Sequence, residues 1–172
     1  MLGFFRVIRP PAIGMVVFVL LACDFSFIGP NLRHRGPPSS TPPQIAFISG
    51  GDSWSGASEI NVLNLDGTGG YRLVTSFGRH FGHRWSPDGT VLVFVRERDG
   101  DPEIHLTSIN GHEQRNLSNH PAQDLDPAWS PVGPTIAFAS DREGDFDIFL
   151  MDTHGNGVIN LTQSRGSDSN PV

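Results

Sequence analysis

The sequence predicts an all-β protein made of β-propeller blades, each a sheet of four antiparallel strands. One phrase recurs at a spacing of 44 residues: RWSPDGTVLVF from Arg84 and AWSPVGPTIAF from Ala128 align without a gap. Turn formers are frequent between the apolar runs, with 20 Gly and 14 Pro in 172 residues. Four short strands in a unit of about 40 to 45 residues are typical of propeller blades.

Three copies of the phrase are present. An earlier copy starts at Gln44, where Phe47 precedes Phe94 by 47 residues, so about three extra residues fall in its Gly/Ser-rich loop. Insertions in loops cost little free energy. The predicted blades span about residues 44–78, 79–121 and 122–165, and residues 166–172 start a further blade.

Each copy is predicted to contain an inner strand that ends at the Trp, two apolar strands and a short outermost strand. Ser86-Pro87-Asp88-Gly89 has Pro at the second and Gly at the fourth position, as a type I turn prefers. Asp66-Gly67 and Asn110-Gly111 favour tight hairpins between the last two strands. Aromatic residues recur at fixed repeat positions, which predicts that they pack between blades: Phe47, Trp85, Phe94, Trp129 and Phe138.

The first 22 residues have the pattern of a secretory signal peptide. Arg6 and Arg9 precede an apolar run of 11 residues, 12–22, which is too short for a typical transmembrane helix of about 20 residues. Leu20-Leu21-Ala22-Cys23 resembles the lipobox of bacterial lipoproteins, which implies cleavage before Cys23 and lipidation of this only cysteine. The alternative is an uncleaved anchor with an incidental buried Cys23.

Residues 23–43 are predicted to be the lipidated Cys followed by a tether. The stretch after Cys23 contains five prolines and no hydrophobic period of 2 or 3.6. Pro-rich chains are semi-extended. The tether therefore holds the blades away from the lipid.

The repeat resembles the TolB-like propeller family. Its marks are W-S-P-D-G, then [I/V]-A-F, an Asp/Gly-rich turn, [D/E]-I and finally N-L-[ST], over about residues 44–172. The resemblance implies a six-bladed propeller that presents a face to another protein. Val132 replaces the Asp of the turn, and Gly82 and His83 stand where the third copy has Asp126 and Pro127. The first copy lacks an inner strand of this type, because Pro-Pro pairs occupy that stretch.

Three blades do not complete a propeller, which closes with four to eight. Residues 168–172 (DSNPV) match residues 124–128 (DLDPA), the inner strand of the third copy. Two explanations are open. The chain is a fragment of a longer propeller, or it is a homodimer in which two three-bladed halves complete a six-bladed ring.

Three features that could carry chemistry favour structural roles. Gly51-Asp52-Ser53 lies in the loop aligned with hairpin turns, so we predict no nucleophile there. His80 and His83 are two nitrogen ligands where a structural zinc needs four, and His105, His112 and His120 lie on other strands or loops, so loop and rim histidines are the interpretation.

Acidic residues also cluster around two of the predicted hairpins. They lack the spacing of a calcium loop and are interpreted as solvated turn acids. They are Glu97, Asp99, Asp101, Glu103, Asp141, Glu143, Asp145 and Asp147. We predict no catalytic residue, no metal and no cofactor.

The net charge of −6, with Arg as the sole source of positive side chains, argues against a nucleic-acid surface. The sequence therefore predicts an exported, membrane-anchored, non-enzymatic lipoprotein that uses propeller blades to bind an envelope protein. The alternative is the accessory propeller of a peptidase or carbohydrate-active enzyme whose catalytic part lies outside this chain.

Overall fold

Eleven β-strands and no helix make up the part of the chain that the structure, a computed structural model, describes: residues 43–50, 56–163 and 165–172. Within these ranges there is no helix long and apolar enough to cross a membrane. Cys23, the signal segment and Gly51-Asp52-Ser53 lie outside the described residues. The strands are β1 (Gln44–Gly50), β2 (Ser58–Asn64), β3 (Tyr71–Val74), β4 (Arg79–Trp85), β5 (Val91–Arg98), β6 (Asp101–Ser108), β7 (Gln114–Asn116), β8 (Asp124–Trp129), β9 (Thr135–Ser140), β10 (Asp147–Asp152) and β11 (Ile159–Asn160).

The strands form three antiparallel sheets, each a meander in which neighbours in sequence are neighbours in space. Blade 1 is β1-β2-β3, blade 2 is β4-β5-β6-β7 and blade 3 is β8-β9-β10-β11. The predicted all-β class and blade architecture are confirmed. The register of the strand pairs agrees with the repeat alignment, because equivalent residues pair in all three blades. The pairs are Phe47 with Asn61, Phe94 with His105 and Phe138 with Phe149.

The inner strands β4 and β8 share one irregularity. The register shifts between Phe81 and Arg84 in β4 and between Leu125 and Ala128 in β8. Gly82 and Asp126, 44 residues apart, both have a left-handed backbone, with φ of 59° and 51°. Each inner strand therefore contains the same bulge, which bends the strand where the blades converge.

The blades are held together by two apolar clusters, each shared by adjacent blades. Alternate residues of a strand point to opposite faces of its sheet, so blade 2 contributes to both clusters. Between blades 1 and 2 lie Ala46, Ile60, Val62, Leu73, Val74, Trp85, Leu92 and Phe94. Between blades 2 and 3 lie Val93, Val95, Ile104, Leu106, Leu117, Ile136, Phe138, Phe149 and Met151.

A hairpin glycine recurs because the last hairpin of one blade touches the backbone of the blade before it. A Cβ on Gly111 would lie 2.9 Å from the carbonyl oxygen of Leu73, and a Cβ on Gly155 would collide with the carbonyl oxygen of Leu117. Both glycines also have positive φ, of 71° and 83°. Blade stacking thus explains why the phrase has Gly at this position.

Candidate binding surface

An aromatic cleft lies where the turn after β4 meets the turn after β8. Its volume is about 380 Å³. We name it the Trp129 cleft after the half-buried indole that lies in it. It is lined by Ser86, Pro87, Asp88, Val91, Trp129, Pro131, Val132, Gly133, Pro134 and Thr153.

The walls of the Trp129 cleft are ordered by local hydrogen bonds. Asp88 accepts hydrogen bonds from the Ser86 hydroxyl at 2.6 Å and from the Thr90 hydroxyl at 2.9 Å. Burial raises the pKa of Asp88, but these hydrogen bonds outweigh it, so the pKa lies below its ordinary value. One wall of the cleft is therefore a rigid turn with a carboxylate that is charged at neutral pH.

The opposite wall is apolar and exposed. Val132 stands where blade 2 has Asp88, and it is 93% exposed. Pro131 and Pro134 flank it in the same turn. The substitution of a carboxylate by Val places an exposed apolar side chain in the lining of the cleft that holds Trp129. The cleft therefore combines an aromatic ring, an aliphatic knob and one anionic wall.

The two histidines of β4 are not loop or rim residues, and that interpretation is wrong. His80 is 3% exposed and His83 is 5% exposed, both between blades 1 and 2. His80 Nδ1 lies 2.6 Å from the carbonyl oxygen of Ser58, which can only accept, so Nδ1 carries the proton. Its Nε2 therefore accepts from the Ser76 hydroxyl at 3.1 Å. His83 Nε2 lies 3.1 Å from the carbonyl oxygen of Ala46. His83 therefore contacts β1, whereas His80 contacts β2.

His80, Phe94 and His105 form a cluster of three rings in blade 2, in which Phe94 and His105 are stacked and His80 is tilted. Ring centroids are 5.6 Å apart for His80 and Phe94 and 5.7 Å apart for Phe94 and His105. Burial lowers the pKa of His105 to about 4, with a further contribution from the positive charge of Arg96. Burial also lowers the pKa of His80. Both imidazoles are therefore neutral at pH 7.

Blade 3 has an ion pair at the position that this cluster of rings occupies in blade 2. Asp124 and Phe149 occupy the repeat positions of His80 and His105. Arg142 Nη2 lies 2.9 Å from Asp124 Oδ1, and Asp124 is fully buried. The Arg142 guanidinium also lies over the Phe138 and Phe149 rings, 5.1 and 4.9 Å from their centroids. Sequence reasoning missed this pair, although Asp124 and Arg142 share repeat positions with His80 and Arg98.

Two of the acids interpreted as solvated are buried, and for these that interpretation is wrong. Glu103 is 9% exposed and accepts from the Ser118 hydroxyl at 2.5 Å. Asp147 is 5% exposed and accepts from the Thr162 hydroxyl at 3.1 Å. The two pairs are 44 residues apart and join the start of the third strand to the second residue after the outermost strand. The [D/E]-I and N-L-[ST] elements of the phrase are therefore one interaction.

The other predicted residues are placed as follows. Phe94 and Phe138 are fully buried, Trp85 is 7% exposed, and Trp129 and Phe47 are half-buried. Asp99, Asp101, Glu143 and Asp145 are exposed in hairpins, and His112 is exposed. In residues 43–50, 56–163 and 165–172 there is no group of three or more His, Cys, Asp or Glu side chains placed to hold a metal ion.

The stacked four-stranded meanders, with their inner strands side by side, define the class of protein: these are blades of a β-propeller. The chain belongs to the TolB beta propeller domain family, whose model matches residues 37–172.

Among known proteins, the chain is 32% identical to the Tol-Pal system protein TolB of Desulfosudis oleivorans over 74 residues, which are 43% of this chain and 16% of that protein. TolB from Acinetobacter baumannii has a similar structure, with a TM-score of 0.63, 24% identity, and coverage of 73% of this chain and 31% of that one. Dipeptidyl peptidase 4 from Porphyromonas gingivalis gives a TM-score of 0.58 at 12% identity, over 70% of this chain and 18% of that one. The two structures share the fold, and the chain spans less than a third of each of these relatives.

Proposed function

We propose that this chain is a non-enzymatic cell-envelope lipoprotein whose propeller blades bind another protein through the Trp129 cleft. The observation that carries the proposal is Val132, an aliphatic side chain that is 93% exposed and lines the same cleft as a half-buried Trp. An exposed apolar side chain in such a cleft is removed from solvent only when a partner molecule covers it. Tryptophan residues in partly formed pockets are frequent hot spots of protein interfaces.

The chemistry of the cleft favours a segment of protein over a small polar ligand. Pro131, Val132 and Pro134 present apolar surface at little cost in conformational entropy, because two of the three are rigid prolines. Asp88 provides one anionic wall that selects a partner with a basic or hydrogen-bond-donating group. We therefore expect the partner to offer an apolar side chain followed by a cationic or amide group.

The proposed location depends on residues outside the described part of the chain. The Leu20-Leu21-Ala22-Cys23 element and the short apolar run before it support export and lipidation at Cys23. The similarity to a Tol-Pal system protein supports an envelope role. Metabolic labelling with a palmitate analogue tests this directly. Label is expected on the wild-type chain and absent from Cys23→Ser.

The binding proposal is tested by capture from an envelope extract with two matched variants. Val132→Glu places a second charge in the Trp129 cleft and is expected to remove the partner. Phe77→Glu changes an apolar residue that is 65% exposed, in the connection between β3 and β4, and is expected to retain it. A partner identified by mass spectrometry that survives both changes, or is lost equally in both, would refute the Trp129 cleft as its site.

The identity of the partner separates this proposal from its alternative. An envelope protein without enzymatic activity supports the scaffold role. A peptidase or a carbohydrate-active enzyme that binds this chain would instead identify it as an accessory propeller.

A further inference from the structure

Blade 1 is incomplete in the described part of the chain. Blades 2 and 3 each begin with an inner strand, β4 and β8, whereas the blade 1 sheet has the order β1-β2-β3. In residues 43–50, 56–163 and 165–172, the only strand paired with β1 is β2. Among the described residues, the second edge of Gln44–Gly50 therefore has no partner strand.

An unpartnered indole marks the place of that strand. The Nε1–H of Trp129 donates to the carbonyl oxygen of Arg84 at 3.1 Å, on the inner strand of the preceding blade. Trp85 is the same residue one repeat earlier, yet its Nε1 is buried and has no hydrogen-bond acceptor among the residues that the structure describes. A buried donor without an acceptor costs about 1–3 kcal/mol. By the repeat, its acceptor belongs to an inner strand of blade 1.

The described chain also contains a segment that matches an inner strand in sequence but belongs to no sheet. Residues 166–172, here called the C-terminal segment, include DSNPV, the match of DLDPA in β8. Asn170 has a φ of 56°, as Asp126 has 51° and Gly82 has 59° at the same repeat position. The C-terminal segment therefore has the left-handed residue that forms the bulge of β4 and β8, although it lies in no strand.

In the part of the chain that the structure describes, the outward faces of blades 1 and 3 also lack cover. Leu73 and Leu117 are 4% exposed, whereas Leu161, their equivalent in blade 3, is 52% exposed. On blade 1, Phe47 is only half-buried where Phe94 is fully buried. A Cβ on Gly67 would meet nothing within 4 Å, although the equivalent Gly111 touches the blade before it.

We propose that the C-terminal segment of one copy of this chain adds to β1 of a second copy as its missing inner strand. The exchange is reciprocal, so two copies form a two-fold symmetric ring of six blades. Within one copy the C-terminal segment lies against blade 3, where the Asp168 N–H donates to the carbonyl oxygen of Phe146 at 2.6 Å, and the three described blades are fewer than the four to eight of a closed ring. The proposal is independent of the proposed function.

The repeat fixes the register of the exchanged strand. In blades 2 and 3, Phe81 pairs with Val95 and Leu125 with Ala139, which places Ser169 opposite Ile48. Arg84 pairs with Val93 and Ala128 with Ala137, which places Val172 opposite Ala46. The carbonyl oxygen of Val172 of the second copy then accepts from Trp85 Nε1–H, as that of Arg84 accepts from Trp129.

The first test is the mass of the full chain in mild detergent, with the detergent contribution subtracted. The expected value is twice the 18.7 kDa of one chain, less any processed leader. Asn170→Gly accepts the left-handed backbone and is expected to retain the dimer, whereas Asn170→Val opposes it and is expected to weaken the dimer roughly tenfold. A folded wild-type monomer at micromolar concentration would overturn the proposal.

The second test detects exchange between copies. Chains with Cys23→Ser and a single new cysteine are mixed, one carrying Ile48→Cys and the other, distinguished by a tag, carrying Ser169→Cys. Mild oxidation is expected to join them. Asp168→Cys in place of Ser169→Cys is the control, because its side chain lies on the opposite strand face and is expected to link at least tenfold less. Equal linking of both pairs, or linking of neither, would overturn the register.

Discussion

The indole Nε1–H of Trp129 donates a hydrogen bond to the carbonyl oxygen of Arg84, 3.1 Å away, across the boundary between blades 2 and 3. The two residues lie near the ends of neighbouring inner strands, β8 and β4. The Trp of the phrase is therefore more than an apolar residue. Its N–H joins the inner strands of two consecutive blades, and this hydrogen bond fixes the orientation of the indole in the Trp129 cleft.

Replacing Trp129 by Phe removes the donor and most of the fixed orientation while retaining an aromatic ring. We expect the free energy of unfolding to fall by about 1–2 kcal/mol, from the lost hydrogen bond and the smaller contact area. Urea unfolding followed by circular dichroism measures this. Val132→Ala, at an exposed position of the same cleft, is the control and is expected to change stability by less than about 0.5 kcal/mol.

Ser118→Ala tests the interaction that joins the third strand to the outermost one. The Ser118 hydroxyl donates to Glu103 at 2.5 Å and accepts from the Ile104 backbone N–H at 3.0 Å. Its loss leaves a nearly buried carboxylate with one fewer donor, so we expect a loss of about 2 kcal/mol in thermal or urea unfolding.

Ser118→Thr is the matched control, because Thr162 makes the same two hydrogen bonds in blade 3. Stability within about 0.5 kcal/mol of wild type is expected. If Ala and Thr were equally destabilising, the hydroxyl would not be the stabilising group.

The stability of the chain is expected to fall as the pH falls from about 6.5 to about 4. His105 is neutral in the folded chain, where its pKa is about 4, and it titrates near 6.5 when unfolded. Between these values the unfolded state binds more protons, so acid favours unfolding. The shift sets an upper limit of about 3 kcal/mol, which the partial exposure of the ring reduces to about 2 kcal/mol.

Urea unfolding at pH 7.5 and pH 4.5 measures this loss. His105→Gln is expected to reduce the difference between the two pH values, while His112→Gln, at an exposed turn position, is expected to leave it unchanged. An unchanged pH dependence in His105→Gln would exclude His105 as its source.

The pair of Asp124 and Arg142 is expected to be costly to break from one side. Arg142→Met leaves a fully buried carboxylate without its cation, for an expected loss of about 3 kcal/mol. Asp124→Leu combined with Arg142→Met removes both charges and is expected to recover at least half of that loss. Additive effects in this double-mutant cycle would contradict a direct interaction.

Much of the architecture was predictable because each blade repeats the same local chemistry. The inner strands end at Trp85 and Trp129, as the phrase predicts, and Gly89 N–H closes the predicted turn on the Ser86 carbonyl at 2.9 Å. These features depend on neighbouring residues and on the spacing of 44.

The buried polar residues were not predictable in the same way. His80 is buried because Ser58, 22 residues earlier and in another blade, accepts its Nδ1–H. Its repeat equivalent is Asp124, so the two copies give no common signal for that site. Glu103 and Asp147 stand in acidic hairpins, and their burial follows from hydroxyl partners that lie 15 residues later.

Phe47 illustrates how burial depends on the neighbouring blade. It occupies the repeat position of Phe94, which is fully buried, yet Phe47 is half-buried. The repeat predicts that a preceding blade covers the Phe47 ring, whereas no blade precedes blade 1 among the described residues.

Hydrogen exchange of β1 tests the central claim, that a strand from a second copy completes blade 1. The backbone N–H groups of Gln44–Gly50 that point away from β2 are measured by mass spectrometry, with β9 as the internal reference. In the wild-type chain we predict protection of β1 close to that of β9, and at least tenfold faster exchange of β1 alone in Asn170→Val. Rapid exchange of those N–H groups in the wild-type chain, unchanged by Asn170→Val, would contradict the account.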